Sequence, residues 1–330
     1  MSEKLIALGT PAPSAAADRR SRTQKPKQKK PEWLKVRLPS GPTYEKVKST
    51  LHDLGLATVC EESRCPNVGE CWGGGTATVM VMGDTCTRGC RFCNIDTAKN
   101  PLPLDPNEPR NLATAVAKLG LQYLVVTSVD RDDVEDQGSS HFAACITELL
   151  AQAPETILEV LIPDFSGREE FIHKIGVANP AVIAHNIETV ERLTPTVRDR
   201  RAGYRQSLAV LDYVKRTFPH IHTKSSIMLG LGEQEDELLQ AFRDLRDVGV
   251  SVLTLGQYLQ PSPWHLEVKE FVTPERFAEL QRMAEEMGFL YVAAGPLVRS
   301  SYKAAEFFVA GLIKRDREKR RLTSFGVQAS

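Results

Sequence analysis

No stretch of this 330-residue chain is long and apolar enough to cross a bilayer. No apolar segment follows Met1, so a secretory signal is not expected. Neither sign of charge is in excess, since 42 Lys and Arg offset 42 Asp and Glu. That balance gives no general attraction to nucleic acid or to an anionic membrane, and neither is expected as a partner. No G-x-G-x-x-G opens a helix after the first apolar run, which argues against a nucleotide-binding doubly wound sheet. Cysteine is nearly absent outside one region: six of the seven lie between Cys60 and Cys93. Such crowding in an unsecreted chain points to metal and not to disulfides. The remaining one, Cys145, falls on a helical pattern and reads as a small buried apolar residue.

The densest group is Cys86-Thr-Arg-Gly-Cys90-Arg-Phe-Cys93, spaced C-x3-C-x2-C. It follows an apolar run, 76–82, that reads as a buried strand. Three thiolates on one loop can hold three irons of an iron–sulfur cluster and leave the fourth open. Open metal positions are where chemistry happens. Gly89 is expected to allow a tight reversal, and Phe92 to shield the cluster from water. A structural zinc knuckle is the alternative. It requires a fourth ligand close by, whereas Cys145 and His141 are remote in sequence. A second triplet, Cys60-x4-Cys65-x5-Cys71, has a different spacing. It could share one zinc site with the first, or hold a second cluster with a fourth ligand of its own. One tetrahedral metal cannot use six thiols, so two spacings suggest two sites.

Residues 1–30 are basic, proline-containing and without an apolar face, as expected of a disordered tail. Residues 31–76 form an extension that bears the second triplet. Over 77–290, apolar runs at 77–82, 122–128, 156–162, 181–186, 221–229 and 251–257 alternate with helical patterns. Strand–helix alternation implies a parallel sheet with right-handed crossovers. The fold class is α/β. Six units are too few for a closed barrel and imply a partial (β/α)6 TIM-like barrel. Residues 291–330 form a C-terminal extension, ending in a charged, exposed helical tail from Lys314 to Arg321. Polar residues gather at the C-terminal ends of the strands, where such folds carry their sites. They are Thr127, Ser128 and Asp130, then Glu159, His185 and Asn186, Lys224 to Ser226, and Gln257 with Tyr258. Singly, each is a satisfied loop contact; together they describe a polar mouth. The basic run Arg198 to Arg205 reads as a solvated helix face, or as a carboxylate-binding surface.

The Cys86–Cys93 loop resembles the signature of radical S-adenosylmethionine enzymes. With the second triplet and the closing Arg299-Ser300-Ser301-Tyr302, the chain from Leu38 to Tyr302 resembles the lipoyl synthase family. Val126 to Asp133, Glu159 to Asp164, His185 to Val190, Arg198 to Leu208 and Met228 to Glu233 carry the same resemblance. It implies two [4Fe-4S] clusters and S-adenosylmethionine as cofactors. Cys86, Cys90 and Cys93 would hold the cluster that binds S-adenosylmethionine. Cys60, Cys65 and Cys71 would hold an auxiliary cluster, with Ser301, before Ser300, as its fourth ligand. The reaction implied is radical insertion of sulfur at C6 and C8 of a protein-bound octanoyl group. Implied partners are octanoylated carrier domains (lipoyl domains of 2-oxoacid dehydrogenases and the glycine cleavage H protein), a ferredoxin or flavodoxin, and iron–sulfur carrier proteins. The implied compartment is the cytoplasm. From their strand ends, Thr127, Ser128, Asp130 and Glu159 are expected to cradle S-adenosylmethionine. Asn186 and the Arg198–Arg205 run are expected to meet substrate or carrier.

Overall fold

Apolar side chains run almost unbroken through the strands because helices and the barrel interior cover both faces, as parallel sheets require. A computed structural model describes residues 29–36, 40–63, 65–73, 76–301, 311 and 313. The basic tail up to residue 28, Tyr302 and the charged tail from Lys314 lie outside the described residues. The chain divides into Met1–Lys30 and Pro31–Ser330, and every element named here belongs to the second unit.

The N-terminal part holds α1 (Pro42–Asp53), β1 (Ala57–Thr58), α2 (Val59–Glu62) and α3 (Val68–Gly73). Then come β2 (Thr78–Val81) and a ribbon of β3 (Thr85–Cys86) with β4 (Asp96–Thr97). The alternation continues through α4 (Glu108–Leu119), β5 (Tyr123–Ser128), α5 (Ser139–Gln152), β6 (Ile157–Leu161), α6 (Glu169–Val177) and β7 (Val182–Ala184). After α7 (Thr194–Val197) and α8 (Tyr204–Thr217) it runs through β8 (His222–Leu229), α9 (Glu235–Asp247), β9 (Val252–Gln257), α10 (Pro274–Glu286) and β10 (Tyr291–Gly295). The helix boundaries follow local chemistry. Gly120 closes α4 at φ 65°, and the Thr273 hydroxyl caps α10 by accepting from the Arg276 N–H.

The main sheet is ordered β1-β2-β5-β6-β7-β8-β9-β10. All neighbours are parallel except β1 on β2. The six expected strand–helix units are therefore present in an open, partial barrel. The sheet goes one strand further at each end. β10 pairs with β9 from Tyr291–Val252 to Gly295–Gly256. Its sequence, Tyr-Val-Ala-Ala-Gly, is poor in β-branched residues, so composition hides a strand that pairing stabilises.

Helices α4 to α6 pack one core against β2, β5 and β6 around Leu112, Phe142 and Ile172. Helices α8 to α10 pack a second around Leu211, Phe242 and Phe277. Inside the barrel, Tyr123, Ile157, Val182 and Val252 cluster with Ile313. All four begin their strands, so Ile313 plugs the end opposite the polar mouth.

Candidate active site

The first cysteine loop opens where β2 stops. Met82 takes φ 69°, a region that side chains seldom adopt. Its N–H donates to Glu108 Oε2 at 2.9 Å, and His141 Nε2 meets the same oxygen at 2.6 Å. Helices α4 and α5 thus brace the strand end. Glu108, His141 and Cys145 are, among the described residues, the only three potential ligands whose donor atoms all lie within 4.8 Å. Their proximity is accounted for by this brace and by the burial of Cys145 in the core.

Neither cysteine triplet is that tight. Tetrahedral zinc, with Zn–S near 2.3 Å, would draw its thiolates to about 3.8 Å from one another. The zinc alternative therefore fits neither triplet, whereas thiolates bound to separate irons stand further apart. None of the seven cysteines is in a disulfide.

Arg88, between the first two thiols, organises the loop. It is 4% exposed. Its Nη1 meets Asp164 Oδ1 and its Nη2 meets Asp132 Oδ1, each at 2.8 Å, while Nε lies 3.3 Å from Asp130 Oδ1. Three carboxylates from the ends of β5 and β6 thus hold one guanidinium, which ties the loop to the barrel. Thr87 donates to Asp132 at 2.7 Å, and the Gly89 N–H donates to Asp199 Oδ2 at 2.9 Å. Gly89 has neither a positive φ nor a crowded Cβ position, so the expected glycine reversal is not its role. Phe92 packs with Val197, Leu231 and Tyr258 under the loop.

Backbone amides aim at the sulfurs. Cys86 Sγ accepts from Arg88 N and Asp130 N, each at 3.4 Å, and Cys90 Sγ accepts from Asp199 N at 3.3 Å. Burial pushes the thiols up, to about 12 for Cys86 and Cys90 and about 11 for Cys93 and Cys60. Thiols raised so far stay protonated at neutral pH, and a metal bound there must displace those protons. Burial also lifts the Asp130 carboxyl to about 6, against the pull of Arg88.

The second triplet is built by α2, α3 and the turn between them. Cys65 N bonds Cys60 O at 3.0 Å, and Cys71 N bonds Asn67 O at 2.9 Å. Trp72 is fully buried and stacks on Tyr44, with ring centroids 5.2 Å apart. Its buried indole N–H points to the Cys60 sulfur and interacts with that thiol. A buried N–H donor directed at a cysteine sulfur suits a thiolate that holds an iron–sulfur cluster, because such donors stabilise the charged sulfur. The turn after β10 comes to the same place. Asn67 Nδ2 donates to Leu297 O at 2.6 Å, and half-buried Arg299 lies in the field of Cys65. The segment carrying Ser300 and Ser301 is thereby brought to the second triplet, across 230 residues of sequence.

Of the strand-end residues, Thr127 donates its hydroxyl to Leu161 O at 3.0 Å. Asp130 belongs to the Arg88 group. Glu159 departs from the expected role at the mouth. Its Oε1 takes Lys224 Nζ at 2.7 Å and its Oε2 takes the Tyr123 hydroxyl at 2.6 Å, both buried. A carboxylate so deep is stabilised only by being paired, and this one is saturated inside the barrel. The buried atoms Ser128 Oγ, Asp164 Oδ2 and Asn186 Oδ1 have no partner. They stand at the ends of β5, β6 and β7, next to the cysteine loop. Such orphans fit a ligand carrying amino and hydroxyl donors, as S-adenosylmethionine does. Asp164 was not singled out from sequence, although Pro163-Asp164 directly follows the apolar run of β6.

The basic run does not form a solvated helix face. Most of it precedes α8, and Arg198 is buried. Arg198 Nη1 donates to Ser207 Oγ at 2.8 Å, and Ser207 meets His185 Nε2 at 2.8 Å. His185 Nδ1 meets Ile162 O at 2.9 Å. That carbonyl fixes the Nδ1–H tautomer, so Ser207 donates to Nε2. Arg201 pairs with Asp132 at 3.2 Å, and Arg205 with Glu191 at 2.8 Å.

Comparison with known proteins follows the same outline. The Radical SAM superfamily profile matches residues 80–245, and that of the N-terminal domain of lipoyl synthase of the Radical_SAM family matches residues 7–65. A lipoyl synthase of Myxococcus xanthus is 62% identical over 292 residues, covering 88% of this chain and 98% of that one. A mitochondrial lipoyl synthase of Branchiostoma floridae is 56% identical over 292 residues, covering 87% and 78%. Among solved structures, Streptococcus suis SuiB bound to precursor peptide SuiA aligns with TM-score 0.51 at 8% identity, over 76% of this chain and 52% of that one. The methylornithine synthase PylB aligns with TM-score 0.50 at 11% identity, over 74% and 73%. These two share the fold.

Proposed function

This chain belongs to the lipoyl synthase family of radical S-adenosylmethionine enzymes, and from that premise we propose how its own residues divide the work. It is a sulfur-inserting enzyme that acts on octanoylated carrier proteins. S-adenosylmethionine and the [4Fe-4S] clusters, when bound, supply the 5′-deoxyadenosyl radical and the sulfur inserted at C6 and C8 of the octanoyl chain. Unactivated C–H bonds have no acidic proton, so the protein's part is to bind, orient and exclude water.

We assign Cys86, Cys90 and Cys93 to the cluster that binds S-adenosylmethionine. Ser128, Asp164 and Asn186 line its ligand, and Thr127 and Asp130 shape the rim. Cys60, Cys65 and Cys71 hold the auxiliary cluster, with Ser301 as the oxygen ligand and Ser300 as the second choice. A hard alkoxide among thiolates suits a cluster that must come apart. The observation that carries this division is the bond from Asn67 to Leu297 O, beside which the Arg299 guanidinium lies in the field of Cys65. That bond ties the stretch between Cys65 and Cys71 to the turn that leads into Arg299-Ser-Ser.

The substrates proposed are octanoyl-lysine groups on lipoyl domains of 2-oxoacid dehydrogenases and on the glycine cleavage H protein. Electrons would come from a ferredoxin or flavodoxin, and clusters from iron–sulfur carrier proteins. Seven cysteines outside any disulfide favour a reducing compartment, which we take to be the cytoplasm; some relatives are named as mitochondrial.

The test is anaerobic reconstitution with labelled sulfide, followed by a single turnover on an octanoyl-lysine peptide and mass spectrometry. Two labelled sulfurs in the peptide are expected. A modified peptide without label would reject the auxiliary cluster as donor. An unmodified peptide would reject the reading altogether.

A further inference from the structure

Tyr258 to Val272, between β9 and α10, forms no helix or strand, yet it is closely held. The Gln257 amide bonds Glu270 O at 3.0 Å and the Val272 N–H at 2.8 Å. The Tyr258 hydroxyl donates to Leu266 O at 2.8 Å, and Gln260 Nε2 donates to His265 O at 3.0 Å. The strap lies on the first cysteine loop at two points. Leu266 N donates to Arg91 O at 3.2 Å, and His265 Nε2 meets Cys93 O at 2.8 Å. A carbonyl only accepts, so Nε2 carries the proton. The other ring nitrogen then accepts from Ser262 Oγ at 2.9 Å, while that oxygen takes the Trp264 N–H at 3.4 Å. Each donor and acceptor along Trp264, Ser262, His265 and Cys93 is therefore matched in one sense only, and the imidazole is fixed in tautomer and direction.

We propose that His265 is a positioning residue for the loop cluster: through the Cys93 carbonyl it fixes the third thiolate, and Ser262 fixes His265. The inference rests on the assignment of Cys86, Cys90 and Cys93 to the cluster that binds S-adenosylmethionine. The geometry sets Cys93 apart from its partners. Cys86 and Cys90 are held by Asp130 and Asp199, from the barrel rim and the β7–α8 segment. Cys93 ends the loop: its sulfur takes the Ile95 amide, from the loop's own continuation and not from the barrel, and its carbonyl is held by a strap that has no regular structure of its own. Outer partners of this kind orient ligands and set a cluster's hydrogen bonding and access to water.

The test compares His265→Ala, His265→Gln and Ser262→Ala as reconstituted holoenzymes. The S-adenosylmethionine-dependent change in the EPR spectrum of the reduced protein reports the loop cluster alone; chelator-driven iron release is followed alongside it. In His265→Ala the responsive signal should be lost about tenfold or more faster under chelator, the usual size of an outer-partner effect. The auxiliary cluster should stay intact. His265→Gln, whose Nε2 can reach the same carbonyl, should restore retention, and Ser262→Ala should fall between. Retention in His265→Ala equal to the parent overturns the proposal, as does a His265→Gln that behaves like alanine. Equal loss from both clusters also overturns it, because the strap would then support the fold in general. If S-adenosylmethionine alters no signal in the parent, the loop assignment fails and takes the proposal with it.

Discussion

At the scale of single residues, Arg88 has the heaviest duty. Three carboxylates, Asp130, Asp132 and Asp164, converge on its guanidinium at the mouth of the barrel. Removing the cation takes from the fully buried Asp164 carboxylate its guanidinium partner, which costs about 3–5 kcal/mol. Arg88→Met should therefore lower the urea midpoint and prevent the loop cluster from assembling, with iron content as the readout. Arg88→Lys should not rescue it, because one ammonium cannot span three acceptors in fork geometry. Iron content equal to the parent in Arg88→Met would show that the loop closes without its hub. His185 gives a prediction in pH. Burial, with Arg198 adding to it, depresses its pKa to about 4 from an ordinary 6.5. The folded state thus refuses a proton that the unfolded chain accepts. Stability is full above about pH 6.5 and falls as pH drops toward 4, by roughly 3 kcal/mol over that window. His185→Gln should flatten the difference between urea midpoints at pH 7 and pH 5. An unchanged slope would mean that His185 titrates alike in the folded and unfolded chain, so that burial does not depress it.

At the scale of elements, β9 is the clearest case of sequence serving a neighbour. A Cβ on Gly256 would lie 2.1 Å from Val298 O, in the turn that leads to Ser301. Only glycine lets that turn reach the second triplet. Gly256→Ala should displace the turn and leave the loop cluster alone. Iron should fall from about eight to about four atoms per chain, the content of one [4Fe-4S] cluster. Spectra should keep the S-adenosylmethionine-responsive signal. Loss of both clusters together would show that β9 fails as a strand. The same element marks how much could be read beforehand. The six strand–helix units stand out because buried parallel strands are written as apolar runs between helical periods. Cysteine spacing exposes both triplets for a similar reason, since local loops hold their ligands at fixed intervals. Glu159 was misassigned because strand position does not tell depth from rim, and its partners Lys224 and Tyr123 come from other strands. Arg88, Asp164 and His265 act through contacts that no local period encodes.

At the scale of the whole molecule, zero formal charge means that a carrier must be recognised by a local surface, without long-range steering. The basic run between β7 and α8 splits into two parts for this purpose. Arg198 faces inward on Ser207, and Arg201 is drawn to Asp199 and Asp132 beside the cysteine loop. Arg200 and Arg205 stay exposed, and Arg205 pairs with Glu191 on the surface. Such a pair contributes little, within about 0.5 kcal/mol, so its loss should not disturb the fold. Arg205→Ala should therefore leave iron content and the thermal midpoint unchanged while weakening binding of an octanoylated carrier domain. The loss should show mainly in the association rate and shrink as salt is raised, as for a charge at an interface rim. Titration calorimetry and stopped-flow binding at two ionic strengths measure both. Unchanged affinity at low salt would move the carrier surface away from α8, and would leave Arg205 as nothing more than a partner for Glu191.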